Sequence, residues 1–153
     1  MLIKYFVTAF LKYKNTYLLQ KRNEDNSIGS GLWYGIGGHI EKEEIFTPDI
    51  AIFREINEET GLKESNIALL KLKYIALNSN DSLFINYIYF GEITKNQVIS
   101  NDEGELYFIK EEDVLNKEFH PFIKDCLKNG FNNHDDDIFV AVYNGIITNF
   151  FKL

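Results

Sequence analysis

The stretch Gly37 to Leu62, GGHIEKEEIFTPDIAIFREINEETGL, constrains this chain more than any other part of it. Its second half carries the signals of a helix. Thr47 is a favourable N-cap, Pro48 at the first helical position needs no donor, and Asp49 suits the positive end of the helix dipole. Gly61 supplies the stop after Thr60, and Ile52, Phe53 and Ile56 form an apolar stripe at helical spacing. The acidic residues are harder to explain. Glu55, Glu58 and Glu59 crowd the last two turns, where the helix dipole disfavours anions. Glu58 and Glu59 stand three and four residues after Glu55, and like charges at these spacings cost about 0.2–0.5 kcal/mol per pair. Arg54, one turn before Glu58, relieves only part of this. Two readings follow: a solvated acidic face, or a crowded site that a divalent cation occupies. Three carboxylates on one helical edge are hard oxygen ligands, suited to Mg²⁺ or Mn²⁺.

The rest of the chain reads mainly as strands. Ile3 to Lys12 and Thr16 to Lys21 flank the turn Lys14-Asn15 as a hairpin. Asn23 to Gly31 is a polar loop. Leu32 to Ile40 carries aromatics and then Gly35, Gly37 and Gly38, so the backbone there needs unusual dihedrals or close approach to something. Strands return at Leu69 to Leu77 and Leu83 to Ile93 around the turn-rich Asn78 to Ser82, with a short strand at Leu106 to Ile109. Glu111 to Leu115 reads as a helical turn, and Pro121 to Asn129 as a second helix stopped by Gly130. Ile138 to Tyr143 and Ile146 to Phe151 flank Asn144-Gly145, a strong two-residue hairpin signal. The expected fold class is α+β, an α/β/α sandwich with a mostly antiparallel or mixed sheet and about two helices.

Length and composition agree. With 153 residues, 45% of them apolar, two prolines and no linker or repeat, the expectation is a single domain over 1–153 and not a disordered chain. A formal charge of -7 argues against a nucleic-acid polymer or an anionic membrane as partner, but not against a small phosphorylated ligand. Cys126, the single cysteine, makes neither an internal disulfide nor a cysteine-based zinc site. The apolar start, Met1 to Tyr13, is broken by Lys4 and Lys12, is too short to span a bilayer, and lacks a signal-peptide cleavage site. A cytoplasmic location is expected.

The acidic stretch resembles the Nudix box of the MutT-like hydrolases of nucleoside-diphosphate-linked compounds. That pattern is Gly, five residues, Glu, seven residues, then Arg-Glu-apolar-x-Glu-Glu-x-Gly-apolar. Gly38, five residues and Glu44 match its first part, and Arg54 to Leu62 matches every fixed position of its second. The departure is the spacer, nine residues between Glu44 and Arg54, which should lengthen the loop before Pro48 and leave the helix intact. The resemblance implies the family's sandwich fold and a Mg²⁺-dependent attack of water on a phosphorus of a diphosphate bridge, with Mn²⁺ as the alternative ion. It implies Glu55, Glu58 and Glu59 as metal ligands, joined by the backbone carbonyl of Gly38. Arg54 would pair with Glu44 to hold the loop. The implied base is a box glutamate or an acidic residue outside the box. Glu103 is the candidate there, as metal ligand or base, with Glu105 next.

Substrate contacts are expected from Arg22, at the end of the second strand, from His39, and from Trp33, Tyr34, Phe84 and Asn86. The plain alternatives are a surface arginine, aromatics of the core or rim, and a strand Asn facing solvent. His134 to Asp137 reads as a solvated loop, Cys126 as a buried thiol, and His120-Pro121 as a helix start. The expected substrate is a small-molecule nucleotide: a nucleoside triphosphate cleaved to the monophosphate and pyrophosphate, with 8-oxo-dGTP as one form. Other nucleoside-diphosphate-linked compounds, such as ADP-ribose or a nucleotide sugar, and a non-catalytic nucleotide sensor are the alternatives. Whether the C-terminal hairpin Ile138 to Phe151 caps the sheet or pairs two copies as a homodimer stays open.

Overall fold

In the computed structural model, which describes residues 1–24 and 31–153, the strand expected at Ile3 to Lys12 runs as β1 (Leu2–Tyr13). It turns at Lys14-Asn15 into β2 (Thr16–Arg22). Residues 25–30 of the expected polar loop lie outside the described residues. The aromatic and glycine segment divides into β3 (Trp33–Tyr34) and β4 (Ile36–His39). Then come α1 (Pro48–Thr60), β5 (Ile67–Ser79), β6 (Ser82–Ile93), β7 (Gly104–Lys110), the short α2 (Glu111–Val114), α3 (Pro121–Asn132), β8 (Phe139–Tyr143) and β9 (Thr148–Lys152).

Among the described residues the strands form one mixed sheet in the order β3-β2-β1-β6-β5-β8-β9, with β4 also on β1 and β7 also on β2. β1 with β6 and β5 with β8 are parallel; the other pairs are antiparallel. β1 divides its partners by length. Its middle pairs with β4 (Val7 opposite Gly38), and its end pairs with β2 (Leu11 opposite Leu18). β4 then leads through the loop to α1.

Strand alternation sets the two faces. Val7, Ala9 and Leu11 of β1, with Leu18 of β2, meet Ala51, Ile52 and Ile56 of α1. Phe10, Tyr17 and Leu19 point the other way, to Phe122, Cys126 and Leu127 of α3. Burying each such aliphatic or aromatic side chain stabilises the fold by about 1.5–3 kcal/mol. The result is the expected α/β/α sandwich.

Local differences from expectation have physical causes. Thr47 does not cap α1 with its hydroxyl, which instead donates back to the Glu44 carbonyl at 3.3 Å. Gly61 does end α1, at φ 75°, with its N–H on the Asn57 carbonyl. Gly35, Gly37 and Gly38 take no positive φ; close contact is the reason for them, since a Cβ on Gly37 would lie 1.9 Å from the Val7 carbonyl oxygen. β5 and β6 run closer together than expected and leave only Asn80-Asp81 in the turn. α3 continues past Gly130, which is buried where a Cβ would meet the Phe90 ring at 2.7 Å, so that glycine serves packing and not termination. The C-terminal hairpin forms, but its loop spans 144–147. Asn144 Oδ1 accepts the Ile146 and Ile147 N–H groups at 2.9 Å, in place of a two-residue turn.

Candidate active site

Ile52 and Ile56 press one side of α1 onto the sheet, which leaves its acidic edge beside β4 and the loop before the helix. Arg54 is the hub of that edge. Its Nε and Nη2 donate to the two oxygens of Glu44 at 2.7 and 2.9 Å, a bidentate pair. Its Nη1 reaches Glu55 Oε1 at 2.9 Å and Glu58 Oε2 at 3.1 Å, and Nη2 also donates to the His39 carbonyl at 3.1 Å. Glu44 lies in a turn of 3-10 helix (Lys42–Glu44), and the long spacer is taken up by Ile45, Phe46 and Thr47, with Phe46 fully in solvent. The hydrogen bonds from Arg54 hold the Glu44 carboxyl below its usual range, against the cost of burial. The same bonds push the Arg54 guanidinium up.

A second acidic group stands at the C-terminal end of α1. Glu59 is 8% exposed and accepts a hydrogen bond from Gln20 Nε2 at 3.2 Å. Burial, and next the charge of Glu103, push its carboxyl up to about 7. Burial likewise raises Glu55, although Arg54 pulls it down. Glu103 reaches this point because Gly104 begins β7 directly opposite Arg22 of β2, where a Cβ would meet the Lys21 carbonyl oxygen at 2.3 Å. Glu105, two residues on, is exposed and bonded by the Tyr107 hydroxyl, and does not line the cavity.

Arg54, Glu55, Glu58, Glu59 and Glu103 wall one side of a cavity of about 630 Å³, together with Gly37, Gly38 and His39. The other wall is the α3 face of the sheet: Phe6, Thr8, Asn86, Phe84 and Asn78, with His120 and Phe122 from the start of α3. The parallel β1–β6 pairing sets Phe6 beside Asn86, and Thr8 Oγ1 donates to Asn86 Oδ1 at 3.1 Å. Phe6 stacks on Phe84 at 5.9 Å and lies 4.4 Å from the His39 ring. Arg22 and Tyr34 line the same cavity, the guanidinium 5.2 Å from the Tyr34 ring centre.

Trp33 is a correction. It packs into the α3-side core, 5.3 Å from Tyr107 and under Lys117 Nζ at 5.1 Å, and does not line the cavity, because alternation in a two-residue strand sends it opposite to Tyr34. Gln20, Phe6, Thr8, Asn78 and His120 line the cavity without having been singled out for it. His120 does start the helix: its Nδ1 accepts the Phe122 N–H at 3.2 Å, and burial lowers its pKa. The His134 to Asp137 loop lies elsewhere, its three aspartates paired with Lys73, Lys71 and Lys152.

The donor set fits a hard divalent cation. Glu55, Glu58, Glu59 and Glu103 are all oxygen donors on one wall. Glu55 and Glu58 each engage Arg54 through one of their two oxygens. A Cβ on Gly38 would come 2.7 Å from both oxygens of Glu55, so this backbone and that carboxylate share one small space that only glycine leaves open. Burial first, and then the charge of Glu103, raise the Glu59 carboxyl, so two acidic groups crowd one point of this wall. Among the described residues no three acidic, histidine or cysteine side chains enclose a point as they stand, so the donors form an open wall, not a closed cage.

Comparison with known proteins follows the geometry. Among solved structures, the MutT protein of Bacillus halodurans superposes with a TM-score of 0.78 at 18% identity, covering 96% of this chain and 97% of that one. A MutT protein of Methanosarcina mazei Go1 gives 0.66 at 22%, covering 86% and 94%. A NUDIX hydrolase of Nitrosomonas europaea gives 0.68 at 17%, covering 94% and 80%. At these identities the likeness carries the fold. Family membership rests on sequence: the NUDIX domain model matches residues 6–129, most of the chain and all of the acidic stretch. The chain therefore belongs to the NUDIX domain family and is a Nudix hydrolase.

Proposed function

We propose that this enzyme is a Mg²⁺-dependent pyrophosphohydrolase of nucleoside triphosphates, built as one Nudix domain over the whole chain. The reaction adds one water across a phosphoanhydride and yields the nucleoside monophosphate, pyrophosphate and a proton. One observation carries the reading: a single cavity has a carboxylate wall opposite a wall of aromatic rings and amides. Phosphates and their cation suit the first, and a stacked base suits the second.

A bound divalent cation, Mg²⁺ or Mn²⁺, supplies neutralisation of phosphate charge and a lowered pKa for water. The proposed ligands are Glu55, Glu58, Glu59 and Glu103 with the Gly38 carbonyl. Arg54 orients Glu55 and Glu58 and, through Glu44, fixes the preceding loop. Arg22 and His39 meet phosphate. Tyr34 and Phe84 stack the base, and Asn86 bonds its edge. Glu103, exposed at the rim, takes the proton of the attacking water. A positioned base contributes about 10²–10⁴-fold, so Glu103→Gln is expected to lower turnover at least about tenfold with KM little changed.

The test is a screen of nucleoside triphosphates, 8-oxo-dGTP and dGTP among them, against ADP-ribose and nucleotide sugars, with products resolved by ion-exchange chromatography. Monophosphate and pyrophosphate from triphosphates is the expected result, with 8-oxo-dGTP preferred over dGTP. Cleavage of ADP-ribose with triphosphates inert would replace the substrate class and leave the carboxylate wall standing. Tight nucleotide binding without turnover of any compound in the screen would overturn the proposed substrate class.

A further inference from the structure

We propose that Gln20 and Asn101, which no part of the acidic stretch contains, form an amide clamp that positions Glu59 and Glu103 for the reaction. The inference rests on the proposed roles of those two glutamates.

Gln20 lies near the end of β2 and is 5% exposed, so its amide has exchanged water for protein partners. Its Nε2 donates both hydrogens, to Glu59 Oε2 and to Asn101 Oδ1, each at 3.2 Å. Asn101 completes the circuit. Its Oδ1 also accepts the backbone N–H of Glu103 at 2.8 Å, and its Nδ2 donates to the Glu59 backbone carbonyl at 2.9 Å. Two amides thus tie three separate pieces of chain: β2, the last turn of α1, and the loop that presents Glu103. The carbonyl of Glu59 is one of those that a helix end leaves without a partner inside the helix, and Asn101 supplies one. The loop has further anchors on the same strand end, where Asn23 Nδ2 bonds the Asp102 carbonyl at 3.0 Å.

The chemistry of the pair matters as much as its reach. A lysine at position 20 would carry a charge that competes for the carboxylate, and an apolar residue would leave Glu59 Oε2 without this donor. A neutral amide holds Glu59 by one oxygen without adding charge, and the Glu59 carboxyl stands beside that of Glu103. Because Asn101 takes its second donor from the Glu103 backbone, the two carboxylates are set relative to one another, not merely each to its own strand. Both amides come from outside the acidic stretch, which is why the clamp is invisible in that stretch itself.

The test uses the full chain with Gln20→Met, which keeps length and removes both donors, with Asn101→Ala as a second variant at a less buried position, and with the double variant. Melting of the metal-free proteins comes first, then kcat and KM separately, then Mn²⁺ binding without substrate by paramagnetic titration. A clamp predicts that each single variant loses kcat by about 10–100-fold, the usual cost of an outer partner, with KM within about threefold and weakened Mn²⁺ binding. It also predicts that the double variant is no worse than the poorer single one, because the pair acts as a unit. Single variants within about threefold of the parent in both kcat and Mn²⁺ affinity, or losses that simply multiply in the double, overturn the clamp. Glu59→Gln and Glu103→Gln, measured alongside, separate the two ideas. If both stay active, the reading of the site fails. If both are inactive while Gln20→Met is not, only the clamp fails.

Discussion

Arg54 gives the residue scale its logic: one guanidinium satisfies Glu44 in full and lends single hydrogen bonds to Glu55 and Glu58. Of these, Glu58 is the one left more than half exposed, so its charge is available at little structural cost. Glu58→Gln is expected to lower turnover by at least about 100-fold, beyond the 10–100-fold typical of an outer partner, with Mg²⁺ binding weakened in a titration. Its metal-free stability should stay within about 0.5 kcal/mol, since an exposed ion pair and a like-charge repulsion are lost together. Glu59 behaves oppositely. Its carboxyl is raised from 4.5 to about 7, so its ionisation is easier in the unfolded chain. That contribution to stability is intact below pH 4.5 and is lost as pH rises through 7. Glu44, held low by Arg54, acts in a separate window: its contribution is present above the usual carboxylate pKa and disappears only in more acid solution. Denaturant unfolding of the metal-free protein between pH 5 and 8 is therefore expected to show falling stability, and Glu59→Gln should flatten the slope. An unchanged slope in that variant would place the titrating group elsewhere.

Among the elements, α1 was almost entirely legible, because its stop, its first-turn proline and its apolar stripe are local signals that tertiary contacts reinforce. Its missing hydroxyl cap was not legible: only the turn at Lys42–Glu44 shows that a carbonyl competes for the Thr47 hydroxyl. The end of α3 was misjudged for a related reason. A glycine in a helix reads as a stop unless the residue it makes room for is known, and Phe90 lies forty positions earlier on β6. Phe90 cannot yield easily, being packed against Phe10, Tyr74 and Phe131. Gly130→Ala should gain about 1 kcal/mol of helix propensity and lose about 1–3 kcal/mol to overpacking. The expected net is a lower melting temperature by a few degrees in a thermal scan. A higher one would mean that the ring has room to move. The same distance effect explains the site: the box glutamates share one helix and were readable, whereas Gln20 and Asn101 meet only once β2, α1 and the loop before β7 are assembled.

At the scale of the whole molecule the cavity is lined from both sides of the sheet, and each side contributes different chemistry. The α1 face supplies carboxylates; the α3 face supplies Phe6, Phe84, Asn78 and Asn86. This division follows from the pairing of β1, whose stretch Phe6 to Ala9 joins β4, the strand that leads to α1, on one edge and β6 on the other. The C-terminal hairpin belongs to the second face. β8 runs parallel to β5, and Tyr143 stacks on Phe122 at 5.2 Å and stands edge-on to His120 at 5.6 Å. Those two residues open α3 and line the cavity, so the hairpin steadies the wall proposed to hold the base, though it lies beyond the matched family region. Tyr143→Ala removes an aromatic pair worth about 0.5–1.5 kcal/mol beyond its buried area and frees the start of α3. The expected outcome is a KM for triphosphate raised about three- to tenfold, with kcat and Mn²⁺ affinity within about twofold of the parent, because nothing on the carboxylate wall has moved. Steady-state kinetics and metal titration on the same preparation check it. A loss of kcat with KM unchanged would mean that the two walls are coupled through the sheet, and that the hairpin governs chemistry and not only the shape of the base pocket.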